Sequence, residues 1–466
     1  MKRIAFFCIP AHGHTNPMIA VAAELVRRGN KVRFYSFDEF REKIVASGAE
    51  FISCSSLMPE LSEQEEQGLK KVSVTEMSMQ DIRLTECFTD FLAEEFASFK
   101  PDVVYSDSAC FWGKLNAWKF DVPLVVSTST FAFNQMSSQY MKHTPAEMAD
   151  LLFGLPKISK RLKDLIPLGY KYKSAMSLVA SDNDTDSVVY TSKGFQPFSG
   201  IFSDHYLFMG PSLMTDRLPD KIKSQPLIYI SMGTVINDRP DFYRNCVEAL
   251  KDLEADVIIS CGKTFDIGSL GTLPGNIRIY PYVDQLDVLS KADVFITHCG
   301  MNSVSESLYM AAPMVLYPQT GEQQAVARRT AEIGAGEYLK DDSAAGIKAT
   351  VTELLNSSSY TAAAKRCSDE FRACCGTAGA AEFIENAPHK TNAPDPLKEL
   401  NRECGKYQLL YWLIAALLFV LVWRLAGIRF IWLIGVPFGV FNGTFSKLIT
   451  GNIYRKKYGN GRQEGI

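Results

Sequence analysis

Two histidines, His12 and His14, stand in the stretch Pro10-Ala11-His12-Gly13-His14-Thr15-Asn16-Pro17, after an apolar run from Ile4 to Ile9 and at the head of an amphipathic one. An apolar strand that turns into a helix delivers its turn to the carboxyl edge of a parallel sheet. Open α/β folds hold ligands at that edge, so an imidazole there can exchange protons with a substrate. A second group lies far along the chain, Thr297-His298-Cys299-Gly300-Met301-Asn302-Ser303, with Glu306 one turn further. It reads as a strand end, a turn and a helix start near Asn302-Ser303, where free backbone N–H groups bind phosphate. Gly300 lets the backbone come close, Asn302 and Ser303 are expected to cap the helix, and Glu306 can accept from the vicinal hydroxyls of a ribose. Taken singly, each residue has a plainer reading: a capped helix, a structural His298, a His12 that only shapes its turn. A zinc site from His12, His14 and Asp107 is geometrically conceivable, but no cysteine or histidine cluster supports it.

The surrounding pattern must position these groups. Ile4 to Ile9, Val32 to Ser36, Val103 to Ser106 and Leu124 to Ser127 read as short buried strands, with helices from Asn16 to Arg28 and Asp38 to Ser47 closed by Gly29 and Gly48. Between Leu57 and Lys100, and from Phe131 to Met176, alternation gives way to helical stretches rich in Phe and Met. After Gly210-Pro211 the alternation restarts, with strands at Leu227 to Ser231, Val257 to Ser260, Ile277 to Tyr280, Val294 to Thr297 and Met314 to Tyr317 and helices from Ser343 to Asn386. Apolar strands separated by helices imply parallel, doubly wound sheets, and two such runs imply two Rossmann-like domains facing a cleft. The expected boundaries are 1–210 and 211–386, then a polar linker over 387–408.

The bulk numbers exclude several classes. Lys plus Arg number 49 and Asp plus Glu 52, a net charge of −3, with no basic stripe in the first 386 residues, so nucleic acid is not an expected partner. Eleven scattered cysteines without zinc-type spacing suit reduced thiols better than a disulfide framework. No GxGxxG follows the first strand, which counts against a nicotinamide-dependent oxidoreductase. The basic start Met1-Lys2-Arg3 resembles a signal peptide, but the segment is better used as the first strand. On that reading the Asn-x-Ser/Thr triplets at Asn183, Asn356 and Asn442 are chance matches.

The C-terminus is different in kind. Residues 409–445 are overwhelmingly apolar, broken by Arg424 and Arg429, and a basic tail over 446–466 carries Arg455-Lys456-Lys457. This reads as a membrane segment of one or two helices; a hairpin would leave Lys406 and the three tail cations on one side.

The order of the motifs carries a resemblance. His12-Gly13-His14 with Asn16-Pro17, the run RRGNKVRFYSFDEFREKIVASGAEF, and the block from Tyr282 to Gln323 resemble glycosyltransferase family 1, the UDP-glycosyltransferases, and among them the bacterial macrolide-type enzymes, over roughly residues 2 to 385. The resemblance implies a GT-B fold and an inverting, metal-independent transfer of a sugar, glucose first among candidates, from a UDP-sugar to a hydroxyl of an apolar acceptor. No resident cofactor is implied, since the UDP-sugar is a co-substrate. His14 would be the general base and Asp107 the aspartate that orients it. Ser231, Gly233 and Thr234, with the turn at His298 and Gly300, would hold the diphosphate. Asn302 and Ser303 would donate to oxygens at the helix start, Tyr282, Val283, Gln285 and Glu306 would hold uracil and ribose, and Gln319, Glu322 and Gln323 would face sugar hydroxyls. Three residues depart from the family's pattern: Asp284 in place of proline, Tyr282 in place of tryptophan or phenylalanine, and Glu322 in place of aspartate.

Some of Met77, Met79, Phe131, Phe133, Met136 and Met148 are expected to line the acceptor site. The membrane segment would anchor a catalytic body lying in the cytoplasm, and it makes a lipid one candidate acceptor. A lipid-intermediate glycosyltransferase of cell-envelope synthesis and a tethered, non-catalytic UDP-sugar-binding protein are the competing expectations.

Overall fold

A computed structural model describes residues 1–59, 73–142, 144–213, 215, 217–221, 224–233, 239–263, 265–426 and 432–459. Its strands form two sheets. The first contains β1 (Arg3–Phe7), β2 (Lys31–Ser36), β3 (Glu50–Ser53), β4 (Val103–Asp107), β5 (Leu124–Thr128), β6 (Asp186–Val189) and β7 (Tyr206–Phe208), in the order β3-β2-β1-β4-β5-β6-β7. The second contains β8 (Leu227–Ser231), β9 (Asp256–Ser260), β10 (Ile277–Tyr280), β11 (Val294–Thr297), β12 (Met314–Leu316) and β13 (Gly336–Tyr338), in the order β10-β9-β8-β11-β12-β13. Every pairing in both sheets is parallel. Helices cover the faces, so β4, β8 and β11 are buried along their whole length and read as unbroken apolar or small-residue runs.

Strand order places the chemistry. In the first sheet β1 lies between β2 and β4, and in the second β8 lies between β9 and β11. The chain reverses its direction of growth at each of these points, and the loops leaving the two central strands part to open a crevice. The His12-Gly13-His14 turn leaves β1 and Asp107 ends β4; Gly233 follows β8 and His298 follows β11.

Aromatic packing fixes the central strands. Phe6 meets Tyr105 edge-on at 4.9 Å and Phe7 stacks on Tyr35 at 4.7 Å in the first sheet, while Tyr229 stacks on Phe295 at 4.8 Å in the second.

Several expectations are corrected by this packing. The helix Gly376–Glu385, assigned from sequence to 211–386, sends Ala380, Ala381 and Ile384 into the core of the first sheet. Asn30 and Arg28 fix it there through Glu385, at 2.6 and 2.9 Å. The chain therefore crosses between the sheets twice, near Gly210 and again near Cys374, and the crossings touch: the Gly376 N–H donates to the Met209 carbonyl at 2.9 Å, and a Cβ built on Gly210 would lie 2.8 Å from that of Cys374.

Nor is 387–408 simply a linker. A helix runs unbroken from Pro396 to Ala426, and its Leu400 is fully buried beside Ile201 and Phe202 of the first half. A second helix, Trp432–Tyr458, takes up most of the expected basic tail and packs antiparallel to the first. Tyr411 stacks on Phe445 at 4.3 Å, and Lys457 pairs with Glu399 at 2.6 Å near the hairpin's open end. Tyr454 returns to the globular body against Phe198. Among the described residues one stretch, Pro396–Leu421, with mean hydropathy 1.6, is long and apolar enough to cross a membrane.

Candidate active site

His14 lies in the first turn of the helix His12–Arg27. Its Nδ1 is 2.9 Å from Asp107 Oδ2 and 3.0 Å from Ser129 Oγ. Asp107 is fully buried and its other oxygen accepts the Ala109 N–H at 2.8 Å, so the carboxylate cannot turn away. Nε2 of His14 has no protein partner among the described residues, and 27% of the side chain stays exposed. Burial pulls the imidazole pKa down, but the Asp107 carboxylate outweighs it and raises the value to about 9, with smaller help from Glu322 and Asp81.

Three neighbours escaped the sequence reading. Ser129 follows β5 at the same sheet edge, a signal that could have found it. Lys114 is buried in the helix Phe111–Lys119 and donates to the carbonyls of Ser108 and Leu178; burial lowers its pKa to about 8 against the pull of Asp107. Asp81, in the helix Val74–Cys87, has its carboxyl pKa pushed up by burial and by Asp107, against Lys114 and His14. Helical spacing alone could not relate Asp81 or Lys114 to His14.

On the second sheet the helix Met301–Tyr309 starts at Gly300, which caps it with no side-chain bond. The expected caps are thus corrected: Asn302 and Ser303 fall inside the first turn, where their side chains reach other partners and leave the turn's N–H groups uncapped. Asn302 Nδ2 donates to the Gly13 carbonyl at 3.1 Å, and Ser303 Oγ accepts from Gln285 at 3.3 Å. The His298 ring explains both nearby glycines, because a Cβ on Gly233 or on Gly300 would lie 2.6 Å from it. Burial lowers the His298 pKa to about 4, which keeps the ring neutral, and its Nδ1 has no hydrogen-bond partner among the described residues. Cys299 takes φ +66° and Gly233 φ +77°, both in the left-handed region. Ser231 ends β8 and bonds the Gly233 N–H at 3.4 Å, while Thr234 falls outside the described residues.

Gln285 donates to Glu306 Oε2 at 2.6 Å and accepts from Tyr229 OH at 3.0 Å. Burial raises the Glu306 pKa to about 7 despite that bond. Tyr282 is 78% exposed, and Val283 packs on the second core. Asp284, which stands where proline was expected, caps the helix Gln285–Lys291 by accepting the Asp287 N–H at 3.2 Å. Asp284→Ala should therefore lower stability by about 1 kcal/mol, read as a drop in Tm with activity retained at low temperature.

The residues from Gln319 to Gln323 divide into two groups. Gln323 spends its side-chain oxygen on the N–H groups of Gln319 and Thr320 in a capping box, and Gln319 is held by Arg239 and by the Tyr317 carbonyl. Glu322 has no side-chain hydrogen bond among the described residues and acts on His14 through its charge. Of the apolar candidates, Phe131 and Met136 are core, Met79 and Phe133 are partly buried, and Met77 and Met148 are exposed. No group of three or more His, Cys, Asp or Glu able to hold a metal ion occurs among the described residues.

Two parallel sheets of this order, with a histidine–aspartate pair at one switch point and an uncapped helix start at the other, define a glycosyltransferase of the GT-B fold. The chain belongs to the UDP-glycosyltransferase family. The profile of the family described as UDP-glucoronosyl and UDP-glucosyl transferase matches residues 221–371. The uncharacterized UDP-glucosyltransferase YojK of Bacillus subtilis (strain 168) is 31% identical over 399 residues, covering 83% of this chain and 98% of its own. Demethyllactenocin mycarosyltransferase of Streptomyces fradiae is 29% identical, over 83% of this chain and 86% of its own. The crystal structure of the glycosyltransferase of kitacinnamycin superposes with a TM-score of 0.68 at 25% identity, over 82% of this chain and 98% of that one. The protein is thus a nucleotide-sugar glycosyltransferase.

Proposed function

We propose that the protein moves a sugar, glucose first among candidates, from a UDP-sugar to a hydroxyl of an apolar acceptor, with inversion, and with His14 as general base. The observation that carries this reading is the 3.1 Å bond from Asn302 to the Gly13 carbonyl, which ties the start of the donor-side helix to the turn that bears His14. In the reaction, His14 Nε2 takes the proton of the acceptor hydroxyl while that oxygen attacks the anomeric carbon. The bond from that carbon to the diphosphate oxygen breaks, UDP leaves, and a single displacement inverts the centre. Asp107 holds the proton on Nδ1, so the lone pair is on Nε2, and it stabilises the imidazolium that forms. The N–H groups at the start of the helix Met301–Tyr309 and the turn at Gly233 would take up the charge on the leaving diphosphate, so the step needs no metal and no resident cofactor.

Glu306 and Gln285 would hold the ribose, Tyr282 and Val283 the uracil, and Glu322 the sugar hydroxyls. A carboxylate that accepts from ribose hydroxyls must be ionised. UDP-glucose, whose diphosphate does not titrate near neutrality, is accordingly expected to bind about tenfold more weakly at pH 6 than at pH 8, since Glu306 titrates at about 7. Calorimetry should lose this dependence in Glu306→Gln.

The hairpin from Pro396 to Tyr458 would anchor the enzyme to a membrane with its body in the cytoplasm, a reading supported by eleven free thiols and by the apolar, exposed surface of the first helix. An anchored enzyme favours an acceptor dissolved in the bilayer. The test is UDP release by the detergent-purified full-length protein with several UDP-sugars against phenolic, macrolide and lipid acceptors. Release that requires an acceptor and is lost in His14→Ala supports the reading. Release with polyprenyl or glycerolipid acceptors alone would make it a lipid-intermediate transferase, and UDP binding without release from any pair would leave a tethered binding protein.

A further inference from the structure

The helix Pro145–Lys163 buries one side and leaves the other bare. Gly154, Ile158 and Leu162 are buried; a Cβ on Gly154 would strike Thr75, and Asp150 accepts from Ser73 and Thr75, so this side is seated on the helix Val74–Cys87. Turning outward at 100° per residue, the opposite side carries Leu152 and Phe153, 68% and 69% exposed, with the exposed amines of Lys160 and Lys163. Neither lysine has an ion pair among the described residues, and residues 155–163 hold no Asp or Glu. The chain beyond adds Ile166 and Met176, 54% and 47% exposed. Bulky apolar side chains beside unpaired amines with long aliphatic stems match the boundary between headgroups and acyl chains.

We propose that this face docks on an anionic lipid bilayer. Charge favours that occupant, because anionic headgroups complement Lys160 and Lys163. Continuity with the hairpin supports the same choice. Asp184, five residues beyond the helix Met176–Val179, pairs with Lys398 of the first hairpin helix at 3.2 Å, and five residues of chain reach at most about 18 Å. The Met176 end of the face thus lies within reach of the hairpin's base. The proposal rests on the anchoring reading only in that the hairpin brings the face to the lipid.

The test uses the full-length protein in nanodiscs of phosphatidylcholine, alone or mixed with phosphatidylglycerol, with lysine acetylation followed by mass spectrometry. Lys160 and Lys163 should react about fivefold more slowly in the anionic discs, and the protection should fade with salt. Lys340, 82% exposed on the second half, should be unaffected. The double variant L152S/F153S should lose the protection while keeping full activity on a soluble acceptor, which shows that it folds. Equal labelling in both lipids overturns the proposal, as does protection already present in detergent together with a dimeric mass, which would assign the face to a second copy. Co-isolation with the discs reports on the hairpin and the lysine footprint reports on the face, so the two readings fail separately.

Discussion

Replacing His14 with alanine is expected to lower kcat by about 10²- to 10⁴-fold while the dissociation constant for the UDP-sugar stays within about twofold. The imidazole is the group that links Asp107 to the cleft, and its removal leaves no base where the acceptor proton must go. The donor helix, the His298 turn and the Gln285–Glu306 pair are untouched, so ground-state binding of the donor survives. Asp107→Asn should cost a similar factor. Its shape is kept, but an amide cannot stabilise the imidazolium, and its NH2 turned toward Nδ1 would favour the tautomer with the lone pair on the wrong nitrogen. Steady-state kinetics with one soluble acceptor are enough, and an unchanged kcat in His14→Ala would remove the histidine from the mechanism.

The second large effect is one of pH. A base works only when it has lost its proton, and His14 loses its own near pH 9 because Asp107 holds the charge against the opposing effect of burial. The acceptor kcat/KM should therefore climb with a slope of one, gain about fiftyfold between pH 7 and 9, and level off above that. In Asp107→Asn the largest raising influence is gone while burial remains, so the inflection should move down from about 9. The direction of that move separates an electrostatic role for Asp107 from a merely structural one. Stability runs the other way. A histidine whose folded pKa is raised stabilises the protein fully below 6.5, and that contribution disappears as pH rises through about 9, so the enzyme becomes active as this pair ceases to stabilise it.

Much of this was legible in the sequence. The strands that bear the site, β1, β4, β8 and β11, lie in apolar runs between helices, and their turns carry the residues that matter. The strands β3, β6, β7 and β13, three or four residues each, carry too little periodic signal to stand out from the sequence, and none of the four is among its expected strands. Asn302 shows another limit. Its type and place near a helix start predict a cap, but its amide crosses to Gly13, a partner 289 residues away that no local pattern can name. Gly300 was read as allowing close approach to a ligand, whereas its own neighbour His298 already demands the missing Cβ. The return of Gly376–Glu385 to the first sheet escaped for the same reason: a helix of small residues fits either core, and docking through Glu385 decides which.

The paired crossings at Gly210 and Cys374 bear on how such an enzyme can move. The second sheet is in effect a long insertion in the first body, attached by two strands of chain that run side by side. Two attachments far apart would permit only a hinge about the line joining them, but two that touch behave as one swivel, with freedom to twist as well as to open. Gly210 and Gly376, both at positive φ, +83° and +61°, stand at this swivel. The contacts between the two bodies set the closed state: Asn302 on Gly13, Tyr140 on Glu332, and, beside the swivel itself, Arg329 on the carbonyls of Gly194 and Phe195. Product release would then be a matter of unlatching these contacts, with the two sheets themselves turning as rigid bodies.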